Sequence, residues 1–448
     1  MANTSITVLP IDIFPLRSLF YLVAPSESMF QTVQEVPEYV KQVVPLFISA
    51  IILEIIIKSI MGIGSSARVN DIIGSLSAGI ISRLPQLYFG SLELGAYIWF
   101  YEHYNLVRLP WNSYWTWIFC LLSVDMGYYW VHRFGHEVNL FWAAHQVHHS
   151  SEEYNLSTAL RQSVLQQYFS WVGYLPLALL VPPPVFLVHI QLNLIFQFWI
   201  HTEVIDKIGP LEYFLNTPSH HRVHHSRNPQ YIDKNYAGVL IIWDRIFGTF
   251  EPEDEEGVYG LTSPVATWNP LWVQFGYLIE TIKRSLSYDS FYNLLGIYIN
   301  GPGWRPGKPR LGNPGAIPKI SRKTFIKYNP KCSAWCQVYS LLHFFVIVVL
   351  NQELQIRKDM PTTQLFLGII STLITLYSIG ILLESRYYAP FVEYSRCMSY
   401  LVMDTMLIST GYVLIPTETA TFLKIIFSLS SLLWITRAIQ ISVKTKVA

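Results

Sequence analysis

The chain has 448 residues, 51% of them hydrophobic and only 14% charged, with a net charge of +1. Soluble domains carry roughly a quarter charged residues and disordered chains far fewer apolar ones, so both classes are excluded. Near-neutral charge removes the basic field that nucleic acid requires, and a mean hydropathy of +0.31 points to a polytopic membrane protein.

A bilayer-spanning helix needs about 20 mostly apolar residues. Stretches of that kind fall at 42–60, 84–103, 113–131, 164–181 and 185–200, then at 335–351, 364–383, 398–416 and 420–440. The expected fold is therefore all-α, with about nine transmembrane helices. Pro182, Pro183 and Pro184 separate the fourth stretch from the fifth, as a tight helical hairpin requires. The second contains Pro85 and Glu93, which weakens it as a span. A polar stretch, 202–334, holds the acidic run from Glu251 to Glu256 and the Pro/Gly-rich segment from Gly301 to Pro318. Four regions follow: an N-terminal membrane region (1–112), a histidine-rich region (113–250), a polar and basic connector (251–334) and C-terminal membrane helices (335–448).

Orientation is read from charge. Arg305, Lys308, Arg310, Lys319, Arg322, Lys323, Lys327 and Lys331 lie in a segment without a single acid. By the positive-inside rule that flank is cytosolic. Four further spans return the C-terminus to the cytosol, where Lys444-Thr445-Lys446-Val447-Ala448 resembles the dilysine retrieval signal of endoplasmic reticulum membrane proteins. The N-terminus is then lumenal, with Asn3-Thr4-Ser5 a glycan acceptor, while Asn155-Leu156-Ser157 is cytosolic and unmodified. The first residues show no basic n-region ahead of a cleavable apolar core, so no signal peptide is expected. Cys120, Cys332, Cys336 and Cys397 form neither a disulfide framework nor a zinc ribbon, although Cys332 and Cys336 fit one helix face.

Of the 13 histidines, all but His103 and His343 fall between His132 and His225. They form HxxxH (His132, His136), HxxHH (His145, His148, His149) and a second HxxHH (His221, His224, His225). Residues three or four apart share a helix face, so His132 with His136, and His145 with His149, can each pinch one ion. Adjacent histidines point about 100° apart and can serve two different metals. Eight imidazoles exceed what one ion holds, and no thiolate cluster biases the site towards structural zinc. Two mid-transition metals are expected. HxxxH begins where the 113–131 span leaves the hydrocarbon. One apolar hairpin later, the fifth stretch ends at His201, on the same face. A lone HxxxH is most often a pair of unrelated histidines, but three boxes on one face are hard to explain without metal. His103 fits an interfacial role, His343 a packed helix, His189 a buried or cavity-lining position, and His220 a neighbour of the ligands.

Two carboxylates are candidate catalytic residues. Asp125 lies seven residues before His132 on the same face, where it can orient a ligand imidazole, or else serve a buried hydrogen-bonding role. Glu137 adjoins His136, with a surface ion pair to Arg133 as the simpler account. Glu152, Glu153, Asn155 and Arg161 can support the first HxxHH, and Trp243, Asp244 and Phe247 read as packing and turn residues.

The three ordered boxes, with HHSSEEYNLSTALRQS after the second and NYAGVLIIWDRIFGTF after the third, resemble the fatty acid hydroxylase/sterol desaturase superfamily of membrane di-iron enzymes. The resemblance covers about 113–250 and implies iron-ligand roles for the eight box histidines, with His201 as a further ligand. The chain length and the helices after residue 335 are similar to the ether-lipid-cleaving branch of that superfamily. That branch implies hydroxylation of the ether-linked carbon of alkylglycerols and lyso-alkylphospholipids by dioxygen. The hemiacetal product collapses to a fatty aldehyde and a glycerol derivative. It also implies tetrahydrobiopterin as electron donor and a separate reductase to regenerate it. No HPGG haem-binding segment is present, so no cytochrome b5 is fused to this chain. A di-iron sterol or sphingolipid hydroxylase is the alternative enzyme reading, and a metal transporter a third.

Overall fold

The computed structural model describes residues 13–62, 68–357, 360–409 and 415–447, the side chains of Ile408 and 443–447 excepted. Asn3-Thr4-Ser5 and the side chains of Lys444 and Lys446 thus lie outside the described residues.

Regular structure among the described residues is helical, with two isolated bridges, Leu215 to Leu240 and Ser226 to Tyr259. The short α1 (Phe14–Ser18) precedes α2 (Tyr39–Met61), α3 (Val69–Phe89), α4 (Leu92–Tyr104) and α5 (Tyr114–Glu137). Next come α6 (Asn139–His149), the single turn α7 (Leu156–Ala159), α8 (Pro183–Trp199), α9 (Pro218–His225) and α10 (Ile242–Phe247). Then α11 (Pro270–Ser285) and α12 (Phe291–Ile299) lead to four long helices, α13 (Ala334–Ile356), α14 (Thr362–Leu383), α15 (Ala389–Ser409) and α16 (Thr417–Val447). Four helical segments, Val33–Met61, Ala334–Ile356, Thr362–Leu383 and Thr417–Ser442, are long and apolar enough to cross a membrane.

Two expected spans differ from the structure. The 84–103 stretch is not one helix: α3 runs through Pro85 to Phe89, Gly90 turns at φ +66, and Ser91 Oγ caps α4 by accepting from Leu94 N. A left-handed glycine followed by an N-cap serine ends one helix and starts another, and apolar content alone does not register that punctuation. The 164–181 stretch forms 3-10 turns, Gln166–Tyr168 and Ser170–Leu179, with Pro176 inside the longer. It lies tightly on α5. A Cβ on Gly173 would come within 2.3 Å of Val131, and one on Gly127 within 3.1 Å of Tyr174.

Helices α13 to α16 bundle around a buried polar core. Arg396 pairs with Glu393, and Glu393 also accepts from Ser378 Oγ (2.6 Å) and Tyr339 Oη (2.5 Å). Arg396 Nη2 donates to His343 Nδ1 (3.1 Å), whose Nε2 stands 3.1 Å from Ser430 Oγ. All four helices contribute, so the buried Glu393 and Arg396 charges are paired and hydrogen-bonded within the bundle. Trp335 at the start of α13 meets Trp434 and Arg437, just past the middle of α16.

Helix α3 joins this bundle to the histidine-bearing half. Its Ile73, Ile81 and Leu84 pack with Phe344, Ile347, Leu376 and Ile379. On another side, Asp71 accepts from Ser151 Oγ at 2.6 Å, just past α6. The connector lies against the same end: Lys327 pairs with Glu153 (2.7 Å), Tyr328 N donates to Glu152 (2.6 Å), and Arg322 Nε donates to Gly257 O (2.7 Å).

Candidate metal centre

Three helices and one helix end deliver the imidazoles. His132 and His136 occupy the last turns of α5, whose start is capped by Ser113. The chain turns at Val138 directly into α6, which carries His145, His148 and His149. Asn139 fixes that corner, donating to Ile297 O (2.7 Å) and accepting from Tyr277 Oη (2.6 Å). His201 follows the end of α8. Helix α9 begins with Pro218, whose missing N–H costs nothing in a first turn, and carries His221, His224 and His225. All eight of its residues are buried although five are histidine or arginine, so each polar group needs a partner. Arg222 finds its own in both oxygens of Glu253 (2.7 Å each) and in Thr202 O and Ile205 O.

The structure gathers all nine histidines into two buried groups. His132, His136, His145, His149 and His224 form one; His148, His201, His221 and His225 form the other. Within each, the ligand atoms lie within 4.8 Å of one another. The adjacent pairs His148-His149 and His224-His225 divide between the groups, while partners at i and i+4 stay together. His220 belongs to neither. His189 is a structural residue, its Nδ1 2.8 Å from Tyr21 Oη, and His103 is exposed.

The protons are placed by the backbone. Nδ1 of His132, His148, His201 and His224 lies 2.7–3.0 Å from the carbonyls of Tyr236, Arg161, Gln197 and Lys234. A carbonyl only accepts, so in each neutral ring the proton sits on Nδ1 and Nε2 is a bare lone pair. These Nε2 atoms converge: His132 on His145 at 2.9 Å, His149 on His224 at 3.1 Å, His148 on His201 at 3.2 Å and His201 on His221 at 3.0 Å. Where both rings are pinned, as in His148 and His201, lone pairs facing at 3.2 Å repel unless a cation lies between them, and nitrogen-only donor sets suit first-row transition metals. Burial keeps the rings neutral. It holds His145, His149, His201, His221, His224 and His225 well below the ordinary imidazole range, with neighbouring imidazoles lowering them further, and His148 down at about 4.

The two candidate carboxylates do not touch an imidazole. Asp125 is fully occupied by Val239 N (2.8 Å), Leu240 N (2.9 Å), Trp243 Nε1 (2.9 Å) and Asn193 Nδ2 (2.9 Å). It therefore fixes the segment whose Tyr236 carbonyl receives His132, one step removed from orienting the ring itself. Gly238 is required there, because a Cβ would meet Asp125 Oδ1 at 2.9 Å and Tyr128 Cδ1 at 2.9 Å. Asp244 holds the same segment through Tyr236 N and Ala237 N, at 2.8 Å each. Glu137 pairs with Arg133 (2.7 Å) and Arg310 (3.1 Å). The carboxylate beside a site imidazole is instead Asp233, at φ +59, with Oδ1 3.4 Å from His136 Nδ1. Nothing in the spacing singled out Asp233, because a left-handed turn brings it there.

Two further contributors were not legible in the sequence. Glu54 of α2 is buried and accepts from Thr202 Oγ1 (2.5 Å) and Leu156 N (2.8 Å), while Lys58 one turn later pairs with Glu203 (2.9 Å). Tyr154 donates to Ile200 O (2.8 Å) and stacks on His201. Glu152 and Glu153 bind the connector and Arg68, Asn155 caps α7, and Arg161 donates to Val147 O (3.1 Å) at the end of α6.

Comparison with known proteins agrees with this centre. Residues 117–249 match the fatty acid hydroxylase family, and 336–429 match the alkylglycerol monooxygenase C-terminal domain. The chain is 48% identical over 427 residues to human alkylglycerol monooxygenase, covering 95% of each chain. It is 51% identical over 388 residues to alkylglycerol monooxygenase of Danio rerio (86% of this chain, 87% of that one) and 46% identical over 429 residues to that of Xenopus tropicalis (95% and 94%). No solved structure matches. With nine imidazoles gathered in two groups and both domains matched at these identities, the chain belongs to the alkylglycerol monooxygenase family.

Proposed function

We propose that this chain is a di-iron, tetrahydrobiopterin-dependent monooxygenase that hydroxylates the ether-linked carbon of alkylglycerols and lyso-alkylphospholipids. The observation that carries the reading is the division of nine imidazoles into groups of five and four, with the Nδ1 protons of four of them fixed outward on backbone carbonyls. The relatives named above are alkylglycerol monooxygenases by name and match almost the whole chain, which supports the ether-lipid substrate. His132, His136, His145, His149 and His224 would hold one iron, and His148, His201, His221 and His225 the other. The iron pair supplies reductive activation of dioxygen beside the substrate.

One oxygen atom enters the C–H bond next to the ether oxygen and the other leaves as water. The reaction therefore takes two electrons from tetrahydrobiopterin, which a separate reductase regenerates. The hemiacetal then collapses to fatty aldehyde and glycerol derivative. In this reading the carbonyls of Tyr236, Arg161, Gln197 and Lys234 keep four imidazoles in the ligating tautomer, and Asp233 orients His136. Asp125 and Asp244 act as positioning residues through the 236–240 segment, and Glu137 steadies the end of α5 against Arg133 and Arg310.

The same reading places the enzyme in the endoplasmic reticulum membrane with the iron site cytosolic. Its support is that the basic 305–331 segment binds residues flanking the histidines. The four regions drawn at 112, 250 and 334 belong to the proposal, with fewer than nine spans because 84–103 and 164–181 are not single helices; the two matched domains fall inside the second and fourth regions. A sterol or sphingolipid hydroxylase would keep the iron site and change the product. Transport is disfavoured because its ligands belong in discontinuous helices near mid-membrane, whereas here they sit on α6, α9 and helix ends.

Anaerobic metal analysis coupled to an aldehyde assay tests the reading. Iron in both groups and aldehyde from alkylglycerol only with reduced pterin are the expected results. Iron-loaded protein that gives no aldehyde with pterin present would sink it.

A further inference from the structure

Beside the histidines, against α9, lies a cavity of about 410 Å3, within the range of small-ligand sites. It is lined by Lys207, Glu212, Ser219, His220, Arg245 and Phe250, among others. We propose that it binds the glycerophosphate headgroup of a lipid.

The donors and acceptors facing it are uneven in a way that suits such a group. Arg245 lies 3.8 Å over the Phe250 ring and donates to Glu212 O (3.3 Å), while Lys207 donates to Glu253 O (3.3 Å). Neither cation has a carboxylate ion-pair partner among the described residues. The nearby acids are committed elsewhere: Glu253 gives both oxygens to Arg222 at 2.7 Å, and exposed Asp206 lies 3.7 Å from the same guanidinium. Glu212 accepts from Ile208 N, Thr217 Oγ1 and Ser219 Oγ, all on Oε1, which leaves Oε2 for a ligand hydroxyl. His220 is 4% exposed and its Nδ1 has no partner.

A simple anion does not need the carboxylate oxygen, and a neutral polyol does not need two cations. A phosphate esterified to glycerol uses both. The surroundings indicate a lipid source: Leu211, Tyr213, Phe214 and Ile246, on the same turns as Glu212 and Arg245, are each more than half exposed. Apolar side chains around a polar pocket mark a site that meets lipid. WDRIFGT thereby gains a role at Arg245 beyond packing. The proposal rests on the ether-lipid reading for its substrate, and it gives one centre a means of taking lyso-alkylphospholipids as well as alkylglycerols.

The test is equilibrium binding to the iron-loaded protein in detergent, with two probes lacking an ether bond: a monoacylglycerol and a lysophosphatidic acid of the same chain. Replacing both cations (Lys207→Gln with Arg245→Gln) should raise Kd for the phosphate-bearing probe by about tenfold or more. Kd for the monoacylglycerol should stay within about twofold. Equal weakening of both probes would assign the pocket to architecture, and no change in either would deny it the phosphate. Displacement of lysophosphatidic acid by inorganic phosphate at equal concentration would make it a free-phosphate site; each of these three results overturns the proposal. Because neither probe is cleaved, the outcome is separate from aldehyde formation by the unaltered enzyme, which tests the ether-lipid reading itself.

Discussion

His148 and His201, 53 residues apart, face each other Nε2 to Nε2 at 3.2 Å, and Nδ1 of each is held by a backbone carbonyl. With both protons pinned outward, no hydrogen bond can form between the two rings when they are neutral, so the contact suits a shared cation.

The two groups should therefore fail one at a time. His148→Ala removes a ligand only from the group of four, and His224→Ala only from the group of five. Each variant should insert in the membrane, lose aldehyde formation, and retain about one iron where the parent holds about two. Iron counts and Mössbauer spectra of the pair decide the matter: identical residual spectra would mean that the groups are not independent sites.

Acidification should act most strongly on the metal-free protein. His148 is held near 4 against about 6.5 in an unfolded chain. The unfolded state then binds the extra proton first, so stability present above pH about 6.5 is lost as pH falls towards 4. His148 alone accounts for on the order of 3 kcal/mol across that window. Denaturant midpoints of chelator-treated protein should fall steadily from pH 7 to 4.5, and those of iron-loaded protein should resist further down. A flat profile for the metal-free form would contradict the neutral-ring assignment.

Asp125→Asn should destabilise without moving the pH optimum. The amide keeps the shape but turns an NH2 towards backbone N–H groups that Asp125 now accepts from, leaving at least one buried donor unpaired, at about 1–3 kcal/mol. Gly238→Ala should do comparable harm by steric contact with the same carboxylate. Thermal unfolding and iron retention report both. An unshifted midpoint in Asp125→Asn would show that the carboxylate does not hold the 239–240 backbone.

Glu54→Ala should weaken the group of four from a distance. Glu54 fixes Thr202, the neighbour of His201, and also takes Leu156 N. Its loss strands a buried N–H and a hydroxyl, costing about 1–3 kcal/mol apiece, and frees His201 to drift. The expected signature is selective loss of the iron bound by His148, His201, His221 and His225, with the other iron retained. Equal loss of both would assign Glu54 to general folding.

Much of the centre was legible because helical spacing is a local property. HxxxH and HxxHH fix which imidazoles share a face, so the division of His148 from His149, and of His224 from His225, follows from 100° per residue before any tertiary contact is known. Apolar length likewise marked α2, α13, α14 and α16. It misjudged 84–103 and 164–181, where a left-handed glycine, a serine cap and close packing on α5 override average hydropathy.

What the chain alone determined is the set of box histidines and which of them share a helix face, since both depend on residue type and helical pitch. The tertiary structure decided everything that rests on residues far apart in the chain. It joined His201 to α9, brought Asp233 to His136, sent Asp125 to the 239–240 backbone, and anchored the centre to α2 through Glu54. Such contacts carry no periodic signature, because a hydrogen bond across more than a hundred residues is set by how helices meet and leaves no mark on the spacing within either one.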